Sequence, residues 1–404
     1  MDRTNSPLHK RSRTDPLQQE SPESQKYRPL LDGNTVDSVT SFWDYIDGLK
    51  TSLSNMHFNE GLKPLKLYSS LQELLSVGGA HLLKELSKDY NQLKAIYDSN
   101  VININKGYCT SLNFGKQPII GVIYGPTGSG KSQLLRNLMS CRLLHPFPET
   151  IFFIVPHIEM IPPQEMIAWK SQVVEGNFRP GQEGLIIPCT RTLKPNFVCM
   201  TYEQLCAEEN YDVTNPNNVF ANAAGKGPIA IVIDECMEDL GKSKQIAKFF
   251  HAFPSKLFDR YPACSGYYVF VVLHNMNPRR DAGGNIATLK IQAKMHILSP
   301  KMQPAQLNRF INAYTKGLPL PIVLLLKDIF RYHSMNTQYD WIIYNTDVEN
   351  PANQWIYLNQ MCSPIPMYVN ALCVTYNSML KIHRNLTDKE RWIRYYVKKK
   401  ERLQ

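Results

Sequence analysis

The sequence predicts a three-layer α/β sandwich with a mainly parallel sheet. Between residues 113 and 316, short apolar runs alternate with stretches of helical character. Nearly continuous apolar runs of this length are typical of strands that are buried on both faces of a parallel sheet. Helices between such strands cover the two faces of the sheet. The predicted strands are residues 119–124, 151–155, 197–201, 229–233, 269–273 and 295–298.

The regions that flank residues 113–316 differ from it in composition and pattern. Residues 1–34 are polar and charged, which predicts a disordered tail. Residues 35–112 form a predicted N-terminal helical region, because apolar residues recur there at spacings of three and four. Residues 317–404 form a mixed C-terminal region with one predicted strand at 339–345. The segment 185–188 is either an additional strand or a hairpin insert.

The overall composition is that of a globular protein with reduced cysteines. The chain has 404 residues, of which 43% are hydrophobic and 20% charged. It contains no apolar run of about 18 residues, so we expect no membrane helix and no membrane partner. Its nine cysteines include no CxxC pair, which argues against a zinc site or a disulfide framework. We therefore interpret the cysteines as reduced thiols of an intracellular protein.

A glycine-rich segment between the first predicted strand and a helix predicted at 131–144 matches the pattern GxxxxGK[ST]. Its glycines allow backbone N–H groups to approach phosphate oxygens, and the helix N-terminus adds a positive dipole end. In this pattern the lysine reaches the β- and γ-phosphates and the serine hydroxyl binds Mg²⁺. The predicted nucleotide-binding residues are Gly125, Pro126, Thr127, Gly128, Ser129, Gly130, Lys131 and Ser132.

Two acidic residues follow the predicted strand at 229–233. Asp234 is placed to bind Mg²⁺ together with Ser132, and Glu235 is placed to activate the attacking water. Strand-like runs between the phosphate loop and Asp234 suggest that another strand separates the two motif strands in the sheet. This indicates a P-loop NTPase of the additional-strand, catalytic-glutamate type. No NKxD motif is present, which favours ATP over GTP.

Polar residues after the strand at 269–273 are further catalytic candidates. A polar side chain at this strand end commonly contacts the γ-phosphate. We predict Asn275 for this role, with His274 as the alternative. Motor ATPases also need an arginine to neutralise charge in the transition state. The candidates are Arg279, Arg280 and Arg309, although the first two could equally contact DNA phosphates.

The C-terminus is strongly basic. Residues 381–404 hold nine Lys or Arg and three acidic residues, a net charge of +6 out of +10 for the chain. A predicted helix at 385–400 begins with a capping box formed by Thr387 and Glu390. The basic side chains suit a polyanion such as DNA, although a solvated tail would have the same composition. The predicted DNA-binding residues are Arg394, Tyr395, Lys398, Lys399, Lys400 and Arg402.

Several long segments resemble the adenovirus packaging protein one family. They are VIYGPTGSGKSQLLRNL, GPIAIVIDECME, KFFHAFPSKL, VVLHNMNPRRD, LNRFINAYTKGLPL and YDWIIYNT. The resemblance extends from about residue 35 to the C-terminus, and the predicted ATP-site residues show no departure from it. It implies a late viral protein that packages the genome and activates the major late promoter.

The resemblance also implies partners and a location. It implies binding to double-stranded viral DNA at the packaging sequence and the major late promoter, with the contact at the extreme C-terminus, about residues 395–404. Other viral packaging proteins, a single capsid vertex and a homodimer or higher homo-oligomer are implied as well. The expected location is the host nucleus, including nucleoplasm and nucleolus, and the virion.

Two hypotheses about function remain open. Lys131, Ser132, Asp234 and Glu235 favour an ATPase that drives DNA packaging. The basic C-terminus equally suits a sequence-specific DNA-binding and transcription protein in which ATP is an assembly switch.

Overall fold

A nine-stranded sheet forms the centre of the computed structural model. Its order is β11-β10-β9-β8-β1-β7-β6-β2-β5, and neighbouring strands from β8 to β5 are parallel. β9, β10 and β11 extend it in antiparallel fashion. The strands are β1 Ile119–Tyr124, β2 Thr150–Val155, β3 Phe178–Pro180, β4 Ile186–Pro188, β5 Asn196–Thr201, β6 Ile229–Ile233, β7 Tyr267–Leu273, β8 Met295–Leu298, β9 Trp341–Asn345, β10 Trp355–Leu358 and β11 Pro364–Pro366.

The structure describes part of the chain. The described residues are 112, 117–141, 143–176, 178–180, 186–188, 194–236, 239–241, 244–250, 252–276, 284–348, 353–367 and isolated positions from 369 to 377. The predicted tail at 1–34, the predicted N-terminal helices, Arg279, Arg280 and the predicted C-terminal helix lie outside them. The six predicted DNA-binding residues, 394, 395, 398–400 and 402, lie outside them too. None of the described helices is long and apolar enough to cross a membrane.

Helices cover both faces of the sheet, as the alternating side chains of β2 illustrate. Phe153 packs on Trp169 on one face, at a ring-centroid distance of 4.9 Å. Phe152 packs on Phe220 on the other face, at 4.6 Å. The helices are α1 Lys131–Ser140, α2 Pro163–Ala168 with a π-helical continuation Trp169–Val174, α3 Tyr202–Leu205, α4 Val219–Ala224, α5 Ala252–Arg260, α6 Gly284–Gln292, α7 Pro304–Tyr314 and α8 Leu320–Asn336.

The predicted three-layer α/β class is therefore confirmed, and so is a strand between the two motif strands. That strand is β7, which follows Asp234 in the chain. The strand-like runs on which the prediction depended are β2 and β5, and they lie beyond β6. A strand does separate β1 from β6, but it is not one of the two strands that precede Asp234 in the chain. Chain order does not fix the position of a parallel strand in a sheet.

Three further features refine the sequence prediction. β3 and β4 form a separate antiparallel pair, so the segment at 185–188 belongs to a hairpin insert. α1 ends at Ser140 instead of residue 144, and Cys141 caps it through a backbone hydrogen bond to the Asn137 carbonyl oxygen. β8 pairs with β9, so the sheet continues without interruption across the predicted boundary at residue 316.

Candidate nucleotide site

Three neighbouring parallel strands bring the predicted motifs to one edge of the sheet. β7 lies between β1 and β6, and all three point the same way. The phosphate loop follows β1, Asp234 and Glu235 follow β6, and His274 follows β7. The carboxyl ends of such strands are where α/β sheets bind ligands. The order of the strands thus collects residues that are far apart in sequence.

The glycines of the phosphate loop occupy positions that favour glycine. Gly128 and Gly130 have φ values of 78° and 86°, a left-handed region that favours glycine. A Cβ at Gly125 would lie 2.4 Å from the Ser129 hydroxyl oxygen, and one at Gly130 would lie 2.8 Å from the Tyr339 ring. Backbone conformation at two positions and close neighbours at two positions thus account for the three glycines of the motif.

Donor groups in this loop fit a phosphate chain. No side chain caps the N-terminus of α1 at Gly130, so its first N–H groups can bind an anion. The Ser129 hydroxyl is buried and has no hydrogen-bond partner among the described residues. Ser132 lies half-buried in the first turn of α1. This loop, as predicted for Gly125 to Ser132, can surround phosphate oxygens with N–H and O–H donors.

A series of hydrogen bonds connects residues that follow β1, β7 and β6. Lys131 is only 7% exposed as a residue, and its ammonium donates to the Pro126 carbonyl oxygen at 2.9 Å and to His274 Nδ1 at 3.2 Å. His274 Nε2 lies 3.0 Å from a Glu235 carboxylate oxygen. Because Nδ1 accepts from the ammonium, Nε2 carries the hydrogen and donates it to Glu235. His274 thus connects the predicted phosphate-binding lysine with the predicted catalytic glutamate.

The acidic pair forms a tight turn directly after β6. The Glu235 N–H donates to an Asp234 carboxylate oxygen at 3.0 Å. Glu235 has a φ of 56°, which is unusual for a residue other than glycine. Such backbone strain is of order 1–3 kcal/mol and is characteristic of functional sites. The turn leaves Asp234 buried and brings Glu235 to His274.

Asp234 is 7% exposed. Burial, together with the neighbouring Glu235 carboxylate, raises the Asp234 pKa from 3.8 to about 6. Burial also lowers the Lys131 pKa, although both acids oppose this shift. Because Asp234 is buried and has few protein partners, its carboxylate could bind a metal ion that enters the site together with a nucleotide.

The residues present fit Mg²⁺ that enters with a nucleotide. The described residues include no group of three or more His, Cys, Asp or Glu that could hold a metal by itself. Mg²⁺ commonly takes one or two protein ligands together with substrate phosphates and water. Ser132 and Asp234, the predicted pair, are the oxygen donors that could hold it here.

We expect that Asp234→Asn stabilises the nucleotide-free protein at pH 8 by about 1–3 kcal/mol. Because folding raises the Asp234 pKa, its protonation stabilises the folded state fully below the unfolded value. That contribution disappears as pH rises through about 6. At pH 8 the folded wild-type chain therefore contains a buried negative charge at Asp234, and the Asp234→Asn variant avoids its cost.

Denaturant unfolding at pH 4 and pH 8 measures this difference. The gain should be present at pH 8 and nearly absent at pH 4. Asp259→Asn, at an exposed position on α5, serves as the matched control and should change little at either pH. An equal gain at both pH values would contradict a raised Asp234 pKa.

The other predicted residues make different contacts. The Asn275 side-chain oxygen accepts a hydrogen bond from Gln306 on α7 at 2.9 Å. His274, the alternative, hydrogen-bonds to both Lys131 and Glu235. Arg309 lies exposed on α7. Strand-end residues alternate in direction, and the sequence does not show which of two adjacent residues faces the phosphate loop.

Comparison with known proteins assigns the chain to a family. The model of the adenovirus IVa2 protein family matches residues 31–401. Packaging protein 1 of canine adenovirus serotype 1 (strain CLL) is 56% identical over 388 residues, covering 96% of this chain and 87% of that protein. Packaging protein 1 of human adenovirus C serotype 5 is 54% identical over 391 residues, with 96% and 87% covered.

A looser likeness is to a solved structure of the genome packaging NTPase B204 from Sulfolobus turreted icosahedral virus 2 in complex with ATP-gammaS. It is 14% identical, covers 57% of this chain and 94% of that chain, and has a TM-score of 0.34. A likeness at this level carries no functional argument, and the fold assignment depends on the strand order described above. The family match covers far more than half of the chain, and the chain belongs to the adenovirus IVa2 protein family.

Proposed function

We propose that this chain is the ATP-binding and ATP-hydrolysing component of a viral DNA packaging machinery. One observation carries the proposal: the chain of hydrogen bonds from Lys131 through His274 to Glu235, beside the buried Asp234. Such an arrangement would supply a cation for phosphate, a carboxylate for Mg²⁺ and a second carboxylate for water, which supports the proposal. Relatives named Packaging protein 1 support genome packaging as the process that ATP hydrolysis drives.

Each residue has a distinct role in the proposed reaction. The phosphate loop and Lys131 bind the β- and γ-phosphates of ATP, and the lysine charge offsets charge that develops during transfer. Ser132 and Asp234 hold Mg²⁺, which would supply further neutralisation of the phosphate oxygens. Glu235 accepts a proton from the attacking water. His274 orients Glu235 and is released from Lys131 when the γ-phosphate binds.

The DNA side of the function depends on residues outside the described part of the chain. We assign DNA contact to Arg394, Tyr395, Lys398, Lys399, Lys400 and Arg402, in a terminal segment with a net charge of +6. The proposed partners are the packaging sequence of the double-stranded viral genome, other viral packaging proteins, a capsid vertex and further copies of this chain. The proposed location is the host nucleus and the virion.

A second function is kept as the alternative, and the basic C-terminus favours it. In this alternative the contact between His274 and Glu235 persists when ATP binds and holds the carboxylate away from the attacking water. The protein would then bind ATP without hydrolysing it and use ATP as an assembly switch. Its basic C-terminus would then serve sequence-specific DNA binding and activation of the major late promoter.

A virus that carries Glu235→Gln distinguishes the two functions. If hydrolysis drives packaging, infected cells should assemble capsids with little or no genome, because loss of the general base slows hydrolysis by about 10²–10⁴. The measurement is the DNA content of purified particles. Glu209→Gln, at an exposed position, is the control. Particles with a normal genome content would favour ATP as a switch.

A further inference from the structure

A cleft lies beside the phosphate loop. It encloses about 490 Å³, with residues 126–129 on one wall and Lys301 and residues 335–338 on the other. This volume falls within the range of about 300–1,000 Å³ that small-molecule sites occupy. The chain reaches the second wall just after β8 and just before β9.

The strand order shows that the cleft and the catalytic residues lie on opposite sides of β1. β6 and β7, which precede Asp234, Glu235 and His274, lie on one side of β1. β8 and β9, which border the cleft, lie on the other side. A nucleotide with its terminal phosphate between Lys131 and the two acids would extend away from β7. Its nucleoside end would then enter this cleft.

The second wall is held in place by capping bonds at the end of α8. Backbone carbonyl groups in the last turn of a helix lack partners within the helix. Three consecutive carbonyl oxygens near the end of α8 accept side-chain hydrogen bonds from cleft residues: Tyr332 from Asn336 Nδ2 at 2.8 Å, His333 from the Thr337 hydroxyl at 2.9 Å, and Ser334 from Lys301 Nζ at 2.6 Å.

A buried carboxylate fixes the other end of the same segment. Asp340 accepts hydrogen bonds from the Tyr357 hydroxyl and from the Gln360 N–H, the latter at 2.9 Å. The segment from 335 to 339 is thus anchored on both sides. A wall with this many internal bonds is preformed, which reduces the entropy lost on binding.

Two large apolar side chains remain exposed on this anchored segment. Met335 is 70% exposed and Tyr339 is 43% exposed. The Tyr339 ring lies directly against the phosphate loop, 2.8 Å from the position of a Cβ on Gly130. Exposed aromatic rings bind nucleobases by stacking, because every base has a π-face. Methionine adds an adaptable apolar surface beside the ring.

We infer that this cleft binds the base and ribose of the nucleoside triphosphate, with Met335 of the cleft lining packed against the base. Tyr339, which follows the lining segment 335–338 and lies against Gly130, would contact the base from beside the cleft. The inference rests on the proposed function, since it assigns the nucleoside end of the same ligand. The second wall of the cleft, formed by Lys301 and residues 335–338, lies outside the phosphate-loop motif.

Calorimetric titration of the full-length chain with ATP and with inorganic tripolyphosphate, both with Mg²⁺, tests the inference. Tripolyphosphate has the phosphates of ATP and lacks the nucleoside. We expect the double variant Met335→Ala/Tyr339→Ala to bind ATP at least about 10-fold more weakly, about 1.4 kcal/mol. Its affinity for tripolyphosphate should stay within about twofold of wild type, which also shows that the variant folds. Met160→Ala, at a methionine 74% exposed after β2, is the matched control.

Three results would overturn the inference. The wild-type chain could bind tripolyphosphate as tightly as ATP, which would mean that the nucleoside contributes nothing. The double variant could lose both ligands equally, which would make Met335 and Tyr339 supports of the phosphate loop. The wild-type chain could bind neither ligand, and only this last result would also overturn the proposed function.

Discussion

Lys131→Ala is expected to reduce ATP turnover by at least about 100-fold and to weaken ATP binding. Lys131 is a largely buried residue whose charge interacts with those of Asp234 and Glu235, and a charge in such surroundings acts more strongly than in water. Removal of one group that stabilises transition-state charge typically costs about 10²–10³ in rate. Alanine also leaves His274 without the donor that sets its hydrogen-bonding direction.

Steady-state hydrolysis and ATP titration measure the two effects of Lys131→Ala. Lys316→Ala, at an exposed position after α7, removes the same charge outside the site and should leave both values within about twofold. Equal turnover by Lys131→Ala and wild type would show that Lys131 does not act on the phosphates.

Glu235→Gln should show a different pattern, with turnover lost and ATP binding retained. A glutamine has nearly the same shape as glutamate and cannot accept the proton of water. General-base catalysis contributes about 10²–10⁴ in rate, so we expect a loss in this range. Affinity for ATP should be unchanged or slightly higher, because the substitution removes a negative charge near the terminal phosphate.

Comparison of single-turnover hydrolysis with equilibrium ATP binding separates the two quantities for Glu235→Gln. His274→Ala provides a useful comparison, since it removes the contact to Glu235 and leaves the carboxylate itself in place. Its loss of turnover should be smaller than that of Glu235→Gln. A Glu235→Gln variant with normal turnover would show that another group activates the water.

Local patterns in the sequence predicted the strands and the phosphate loop well. β6 and β8 begin and end where the apolar runs predict, because buried strands of a parallel sheet are apolar on both faces. The glycine positions of the phosphate loop follow from backbone requirements that act within a few residues. Both kinds of signal are local, so a single sequence is enough to detect them.

Features that depend on contacts between distant residues were not predictable in the same way. The contact of His274 with Lys131 and Glu235 depends on the direction of one side chain at the end of β7, and on where β1 and β6 place their loops. The packing of Tyr339 on Gly130 joins residues that are far apart in the chain. The addition of β9 to the sheet beside β8 is equally non-local.

The central claim is that this site hydrolyses ATP in order to act on DNA. Steady-state ATP hydrolysis by the wild-type, full-length chain, with and without duplex DNA that carries a packaging sequence, tests it most directly. We predict that DNA stimulates turnover. Tight DNA binding with negligible turnover under both conditions would contradict the claim and make ATP an assembly ligand.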